Sequence, residues 1–377
     1  MESYLPSHIT VLQVIFMLGM FISLPACLVV VTRFLNFYRR KNFNFETSNV
    51  EPKRISVVIP ARNEERRLPR LLESLVKIGF NEIIVVDDGS SDNTVEVATS
   101  YRVKVIKVKD FYPQKGGKSV ACYVGSLNSQ SEYIVFLDSD LFFEDGAFEY
   151  ILKNIPKDGA LSIQPYHATE KFFEKFSFYF NIIVVLGLGV GRFYLPFSLR
   201  KGYFGPFLLV RREDYFKAGG HIKFSDAIVE DVELGNEMIR LGINIYSIPH
   251  RKLVKFRMYE EGLGNLIDGW TKNMFAGSKN LAFSEIILVS GLLAFVVNLL
   301  CYGITVFNTP FFQIFVLFYF IYWLFIHISS NEVGNFGYYS TLFPIFAIFF
   351  IFVFVRSFYF YTFRKPIKWR GREVRVE

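Results

Sequence analysis

Two aspartates separated by one residue are the first side chains in this sequence whose spacing could do chemistry. Asp138 and Asp140 follow residues 133–137, the run YIVFL, whose aromatic and β-branched members predict a buried strand. If extended geometry continues past the strand, both carboxylates point the same way and repel each other unless a cation lies between them. A hard divalent ion such as Mg²⁺ or Mn²⁺, which also binds phosphates, suits this pair better than Zn²⁺ does.

Two further predicted strands end in polar residues. The run ISVVIP is followed by ARNEE, and the run EIIVV is followed by DDGS. A plain turn with Ser90 or Ser91 as a helix cap would account for DDGS alone. Three acidic strand ends in one domain instead indicate a site for a nucleotide diphosphate and a metal. Lys118, in KGGK at a predicted helix start, adds a cation where free backbone N–H groups favour anions, although the spacing of a P-loop is missing.

The elements that position these residues alternate between strand and helix. Strands are predicted at residues 55–60, 82–86, 103–108 and 133–137, and helices at 63–79 and 117–127. This alternation predicts an α/β fold with a mainly parallel sheet and helices on both faces. Ligands of such sheets gather at the carboxyl ends of the strands, which is where the acidic residues lie.

The composition places part of the chain in lipid. The protein is 51% hydrophobic and 18% aromatic, with a mean hydropathy of +0.29, which is too apolar for a soluble protein of ordinary charge. Residues 9–32 are uncharged, long enough to span a bilayer and not preceded by the basic region of a signal peptide, so we interpret them as a retained anchor. Four cations follow, at Arg33, Arg39, Arg40 and Lys41. The positive-inside rule then places the α/β domain on the cytosolic side of the cell membrane.

Charge and cysteine usage narrow the classes of partner. The net charge of +7 suits a surface of anionic lipid headgroups. No nucleic-acid-binding module is recognisable, so nucleic acid is not an expected partner. The three cysteines offer no disulfide framework, and the five histidines are too dispersed for a zinc cluster.

Three apolar runs follow the predicted α/β domain, at residues 281–307, 311–328 and 338–361. Three crossings from the cytosol would leave the tail outside the cell. The tail carries six Lys and Arg residues between 364 and 375, which favour the inside. Either one of the three runs is re-entrant or the positive-inside rule fails here.

Several strings together resemble one enzyme family. VVIPARNEE, IIVVDDGSSDNT, GGKSVA and YIVFLDSD, in this order, resemble the nucleotide-sugar half of inverting family-two glycosyltransferases with the GT-A fold. Residues 205–220 (GPFLLVRREDYFKAGG) are similar to the acceptor-side strand and helix of that family, and residues 229–242 (VEDVELGNEMIRLG) to its Glu-Asp helix. Residues 257–280 lack the Gln-x-x-Arg-Trp motif of processive synthases. They resemble instead the membrane glycosyltransferases of carotenoid acids, the diaponeurosporenoate glycosyltransferase group.

The resemblance implies a role for each matching residue. Asp231 matches the catalytic base, with Glu230 in support, although the pair could simply be the acidic first turn of a helix. Asp140, assisted by Asp138, matches the metal ligand. A nucleotide-sugar donor, with a UDP-sugar favoured, is implied to bind Pro60, Ala61, Asn63, Glu64, Asp87, Asp88, Lys118 and Asp138.

The acceptor side is implied to include Gly205, Pro206, His221, Trp270 and Lys272. His221 is expected to be a loop side chain with a possible acceptor contact. Trp270 either stacks on a sugar or anchors the chain at the lipid interface, and the anchor is preferred. Residues 171–199, rich in Phe and interrupted by Gly and Pro, are expected to form an in-plane interfacial helix with a lipid-facing wall.

These expectations combine into one organisation of the chain: an anchor (1–33), a linker (34–54), a cytosolic GT-A catalytic domain (55–256) with an interfacial segment (169–200), an interfacial amphipathic helix (257–280), transmembrane helices (281–361) and a basic tail (362–377). The hypothesis is a multi-pass, metal-dependent, inverting enzyme that moves one sugar to a lipid-embedded acceptor. The alternatives are a polyprenyl-phosphate sugar synthase and an inactive sugar-nucleotide sensor or scaffold. The sequence leaves the sugar, the lipid and the oligomeric state open.

Overall fold

The computed structural model describes residues 11–192, 197–369 and 372–374. Its α-helices are α1 (Val11–Tyr38), α2 (Leu68–Leu75), α3 (Thr94–Ser100), α4 (Lys118–Leu127), α5 (Ala147–Leu152), α6 (Phe178–Gly187), α7 (Arg212–Lys217), α8 (Glu230–Arg240), α9 (Leu263–Ser278), α10 (Phe283–Val306), α11 (Phe312–Val333) and α12 (Phe343–Thr362). Its strands are β1 (Thr47–Ser48), β2 (Ile55–Ala61), β3 (Glu82–Asp87), β4 (Lys104–Lys107), β5 (Tyr133–Leu137), β6 (Leu141–Phe143), β7 (Ile155–Pro156), β8 (Ala160–Ser162), β9 (Tyr166–His167), β10 (Phe207–Arg211), β11 (Ile245–Ser247), β12 (Val254–Phe256), β13 (Ile367–Trp369) and β14 (Arg372–Val374).

The central sheet has seven strands in the order β11-β8-β10-β5-β2-β3-β4. Strand β10 runs antiparallel to both of its neighbours, and the other pairs in this sheet are parallel. The predicted mainly parallel sheet is therefore confirmed. Val58 of β2 packs in the same core as α4, whereas Val57 and Ile59 pack in the core that contains α2. Because successive side chains of a strand point to opposite faces, helices cover both faces of the sheet.

In the part of the chain that the structure describes, four helical segments are long and apolar enough to cross a membrane: Val11–Tyr38, Phe283–Val306, Phe312–Val333 and Gly337–Thr362. Helix α1 continues to Tyr38, into the predicted linker, and residues 9 and 10 of the predicted anchor lie outside the described residues. Helices α1 and α10 run antiparallel. Gln13 Nε2 donates to the Thr305 carbonyl at one end (2.9 Å), and Arg33 Nη1 lies 3.2 Å from Glu285 Oε1 at the other.

The last apolar segment starts on the side of the α/β domain. Helix α11 ends there, because Thr169 N donates to Asn335 Oδ1 just after it (2.7 Å). A 3-10 helix, Gly337–Leu342, then turns back along α11, with Ser340 Oγ 2.7 Å from His327 Nδ1. The chain therefore re-enters the helix layer beside the helix that it has just left.

The same segment also ends on the side of the α/β domain. The last turns of α12 pack on α9, with Arg356 Nη2 2.8 Å from Asp268 Oδ1. Helix α9 in turn follows Glu260, which pairs with Arg67 of the α/β domain (2.9 Å). Both ends of the segment thus lie on the domain side, which favours the re-entrant alternative of the two that the sequence left open. The start of the basic tail lies on the domain side, whereas its Arg370 and Arg375 fall outside the described residues.

The expected lipid-facing wall at residues 171–199 is wrong for α6, whereas Phe172 before it is half-exposed. Residues 172–177 form a 3-10 helix, α6 follows, and residues 193–196 lie outside the described residues. Phe178, Tyr179 and Phe180 are fully buried, and α6 contacts α10, α11 and α12. A helix that is apolar on all sides fits a buried position better than a lipid surface with one polar face.

Candidate active site

One cavity of about 1690 Å³ connects the sheet with the membrane-spanning helices. Strands β3, β2 and β5 are neighbours, so their carboxyl ends meet at one edge of the sheet. The polar end of the cavity lies at that edge and is lined by Pro60, Ala61, Asn63, Asp88, Asp138 and Asp140. The other end lies between α6, α9, α10 and α12 and is lined by Ile183, Leu281, Ile286, Leu293, Phe350 and Phe354. A single compartment is therefore polar at one end and apolar at the other.

The residues predicted to bind the donor divide between the cavity and the structure behind it. Asp88 lines the cavity, and its Oδ2 accepts a hydrogen bond from Gly117 N at the start of α4 (3.0 Å). Asp87 caps its own turn, because its carboxylate accepts from Ser90 N (3.0 Å). Glu64 is buried behind the cavity wall, where it pairs with Arg67 (3.1 Å). Asp88 therefore lines the cavity itself, whereas Asp87 and Glu64 stabilise the loops behind the cavity wall.

Asp138 and Asp140 lie in a turn, so the assumption of continued strand geometry is wrong. Asp138 N donates to the Pro206 carbonyl (3.0 Å), and Leu141 N closes the turn on the Asp138 carbonyl (3.2 Å). Both carboxylates nevertheless line the cavity. Lys118 Nζ lies 2.6 Å from Asp138 Oδ1, so a protein cation neutralises one of the two aspartates.

The set of oxygen ligands at this turn suits a hard divalent ion only in part. Within the described ranges, no group of three or more His, Cys, Asp or Glu side chains is arranged to hold a metal ion. Mg²⁺ commonly binds proteins through one or two carboxylates, with substrate phosphates and water completing the shell. The Asp138–Asp140 turn fits that pattern, provided that a bound diphosphate supplies further oxygens.

Asp231 and Glu230 begin α8 and line the same cavity. Asp231 lies against Gly205 of the loop before β10, since a Cβ added at Gly205 would collide with Asp231 Oδ2 and lie 3.5 Å from Lys118 Nζ. Lys118 Nζ also approaches the Gly205 carbonyl (3.3 Å). Three segments that are distant in sequence therefore bring Asp231, Lys118 and Asp138 together.

The charges around Asp231 and Lys118 make Asp231 a carboxylate that can accept a proton and keep Lys118 positively charged. Burial, followed by the negative charge of Glu230, raises the pKa of Asp231 to about 7, and the charge of Lys118 opposes that rise. Burial works to lower the pKa of Lys118, but the charges of Asp138, Glu230 and Asp231 outweigh it and raise that pKa. Lys118 therefore stays charged, whereas Asp231 exchanges its proton near neutral pH.

The expectation that His221 is a loop side chain near an acceptor is wrong. His221 begins a 3-10 helix, is buried, and lies behind the cavity wall. Its two ring nitrogens meet the hydroxyl groups of Tyr215 (2.9 Å) and Tyr203 (2.8 Å). Burial, with a further contribution from Lys118, lowers the pKa of His221 to about 3, so the ring is neutral. Its role in the structure is to fix two tyrosines in the core.

The preferred interpretation of Trp270 as an interface anchor is also wrong. The indole is buried, stacks on Phe180 (ring centroids 4.6 Å apart) and donates from Nε1 to Ser177 Oγ (3.2 Å). An anchor would instead expose its N–H to the headgroup region. Trp270 lines the cavity, as do Pro206 and Lys272.

Arg67 was missed by the sequence interpretation. It lines the cavity and pairs with Glu64, Glu260 and Glu261. The guanidinium thus joins the ARNEE segment to the loop before α9. The only sequence signal was its place just after ARNEE, because its two partners at 260 and 261 are remote along the chain.

The fold and the cavity define the class of this protein as a glycosyltransferase with the GT-A fold. Residues 56–216 match the family described as "Glycosyl transferase family 2". The chain is 36% identical over 250 residues to 4,4'-diaponeurosporenoate glycosyltransferase of Staphylococcus aureus strain USA300, which covers 65% of this chain and 67% of that protein. The chain belongs to glycosyl transferase family 2.

A solved structure shares the architecture well beyond the matched region. The chain is similar to the mannosyltransferase PcManGT from Pyrobaculum calidifontis in complex with GDP-Man and Mn²⁺, with a TM-score of 0.62. The likeness covers 93% of this chain and 99% of that one at 14% identity, so it concerns the fold alone. The family and the fold that the sequence strings predicted are confirmed.

Proposed function

We propose that this protein is a membrane-bound inverting glycosyltransferase that moves a single sugar from a nucleotide diphosphate to a lipid-embedded acceptor. The acceptor that we favour is a carotenoid acid, because the Staphylococcus aureus relative is named for such a substrate. The observation that carries the proposal is the continuity of the cavity from the acidic strand ends to the apolar space between the helices. A water-soluble donor and a lipid can meet only in a compartment with both characters.

The nucleotide is proposed to occupy the polar end of the cavity. Ala61, Asn63 and Asp88 line that end and would bind the base and ribose, with a UDP-sugar as the favoured donor. Lys118 stays charged and would bind the diphosphate as negative charge grows on it. Asp138 and Asp140 would hold Mg²⁺ or Mn²⁺, which when bound neutralises the departing diphosphate.

The acceptor oxygen is proposed to lie beside Asp231. That carboxylate lines the cavity and can take a proton near neutral pH, whereas Glu230 keeps its affinity for the proton high. An acceptor carboxyl group beside the negative charges of Asp231 and Glu230 retains its proton to a higher pH than in water. A base is therefore useful for an acid acceptor as well as for an alcohol. One displacement assisted by one base inverts the configuration at C1, by analogy with glycosidases.

The apolar end suits a long lipid. Ile286 and Leu293 line it from one helix, α10, and seven helical residues correspond to about 10 Å of depth. The cations after α1 and the start of the basic tail share the domain side of the helix layer, which supports a cytosolic active site at the inner edge of the membrane.

Incubation of purified enzyme with a panel of nucleotide sugars and membrane lipids, followed by mass spectrometry of the lipids, tests this function. We expect one lipid to gain the mass of a single hexose, and we expect the gain to require a divalent ion. Hydrolysis of the donor with no glycosylated lipid under any combination would contradict the proposed acceptor class.

Gly205→Ala should lower the rate of sugar transfer about tenfold, because it displaces the carboxylate of Asp231, the proposed base. The added methyl group would push Asp231 Oδ2 out of its place, while the nucleotide end of the cavity is unchanged. Gly264→Ala is the matched control, since a Cβ there meets nothing within 4 Å. Turnover and UDP affinity should be measured together, and equal loss of both would contradict the positional explanation.

A second candidate, a polyprenyl-phosphate acceptor, is favoured by two lysines that line the cavity, Lys201 and Lys272. In the part of the chain that the structure describes, their side chains have no hydrogen-bond or ion-pair partner. Arg67 and Lys118 also line the cavity, but they pair with carboxylates. The two lysines therefore suit a phosphate headgroup.

Replacing Lys201 and Lys272 by Met tests the second candidate. We expect kcat/KM for a polyprenyl phosphate to fall about tenfold or more, and kcat/KM for the uncharged polyprenol to change little. Lys279→Met, at an exposed position just after the end of α9, is the control. If the wild-type enzyme does not glycosylate the phosphate at all, the candidate is wrong.

A further inference from the structure

Helix α9 forms one long wall of the cavity. Trp270, Met274 and Gly277 share one face of that helix by their spacing and all line the cavity. Trp270 and Met274 are buried, so this face is turned into the protein. Phe275, on a different face, packs on Phe354 and Phe358 of α12. Gly277 is therefore part of the inner wall.

No contact within the described residues requires glycine at position 277. Its backbone is in the ordinary helical region, where alanine is the preferred residue. A Cβ added there meets no atom within 4 Å. By contrast, a Cβ at Gly187, across the same cavity, would lie 2.8 Å from Leu281, and one at Gly202 would lie 2.7 Å from Val232. Packing explains those two glycines and leaves Gly277 unexplained.

We infer that Gly277 is a specificity-determining residue, whose missing side chain keeps open the passage through which the apolar chain of the acceptor runs along α9. The inference rests on the proposed function, because it presumes a lipid acceptor in the apolar end of the cavity. The position suits this role. Leu281, which lines the cavity just after α9, lies close to Gly187 of α6, since a Cβ added at Gly187 would lie 2.8 Å from Leu281. A side chain at 277 would take up open space in this part of the cavity.

Gly277→Leu tests the inference against two acids of different length. The probes are retinoic acid, a long polyene acid, and sorbic acid, a short one. We expect the substitution to lower kcat/KM for retinoic acid about tenfold or more, because a branched side chain fills the passage. Transfer to sorbic acid and hydrolysis of the donor should be unchanged, since both need only the polar end.

Gly264→Leu is the matched control. Gly264 lies on the same helix, a Cβ there also meets nothing within 4 Å, and the residue is exposed and outside the cavity lining. This variant should behave as the wild type with both acids. If Gly277→Leu loses transfer to both acids and donor hydrolysis in equal measure, or retains full activity with retinoic acid, the inference is overturned.

A measurement of retinoic acid binding distinguishes a failure of this inference from a failure of the proposed function. Retinoic acid should quench the intrinsic fluorescence of the wild-type protein, where Trp270 lines the cavity, and should bind Gly277→Leu about tenfold more weakly. Quenching without turnover in the wild type would overturn the proposed acceptor and leave the passage supported. Equal binding to both proteins would overturn the passage, whatever the turnover.

Discussion

Asp231→Asn is expected to lower kcat for sugar transfer by about a hundredfold or more, because the acceptor oxygen loses its base. The amide has nearly the shape of the carboxylate, and among the described residues the Asp231 side chain accepts only from Val232 N in its own helix turn (3.0 Å). Folding and donor affinity should therefore stay close to those of the wild type. Turnover and binding of UDP, measured by calorimetry, separate the two effects.

Glu233→Gln is the control for this substitution. It removes another carboxylate from the first turn of α8, at a residue outside the cavity lining. We expect near wild-type transfer. An Asp231→Asn enzyme that still turns over at an appreciable rate would remove Asp231 as the base.

The pH profile gives an independent check on the same residue. Since the pKa of Asp231 is raised to about 7 by burial and by Glu230, the base is protonated at lower pH and transfer should increase as the pH rises through that value. Glu230→Gln removes a neighbouring negative charge, so the pKa of Asp231 should fall and the rising limb should move to lower pH. An unmoved limb would contradict the assignment.

Asp140→Asn is expected to have the second large effect, a loss of transfer of about a hundredfold or more, with a parallel loss on chelation of divalent ions. The reason is that Asp140 lines the cavity and is the proposed main ligand of the ion, so the amide would remove a negative charge from the site. Titration of Mn²⁺ by electron paramagnetic resonance, with and without UDP, measures this directly.

Asp145→Asn is the control for the metal experiment. Asp145 is exposed in the turn after β6 and lies outside the cavity lining. Mn²⁺ affinity in the presence of UDP should be unchanged in this variant and clearly weaker in Asp140→Asn. Equal Mn²⁺ affinity in the two variants would exclude Asp140 as a ligand.

Local sequence patterns determined the α/β order, the mainly parallel sheet, the apolar segments and the family. Each of these depends on residues that are close along the chain: runs such as ISVVIP and EIIVV are strand-like by themselves, and length with apolarity decides whether a helix can span lipid. The acidic strand ends could also be placed together from sequence, because neighbouring parallel strands end at one edge.

Only the tertiary structure decided the surroundings of single side chains. The environments of His221 and Trp270, the burial of α6 and the two partners of Arg67 at 260 and 261 depend on other segments of the chain. The turn at Asp138 depends on Pro206, and the return of the last apolar segment to the domain side depends on α9 and α11. Hydropathy and spacing report what a residue prefers, whereas burial and pairing depend on which distant residues the fold brings beside it.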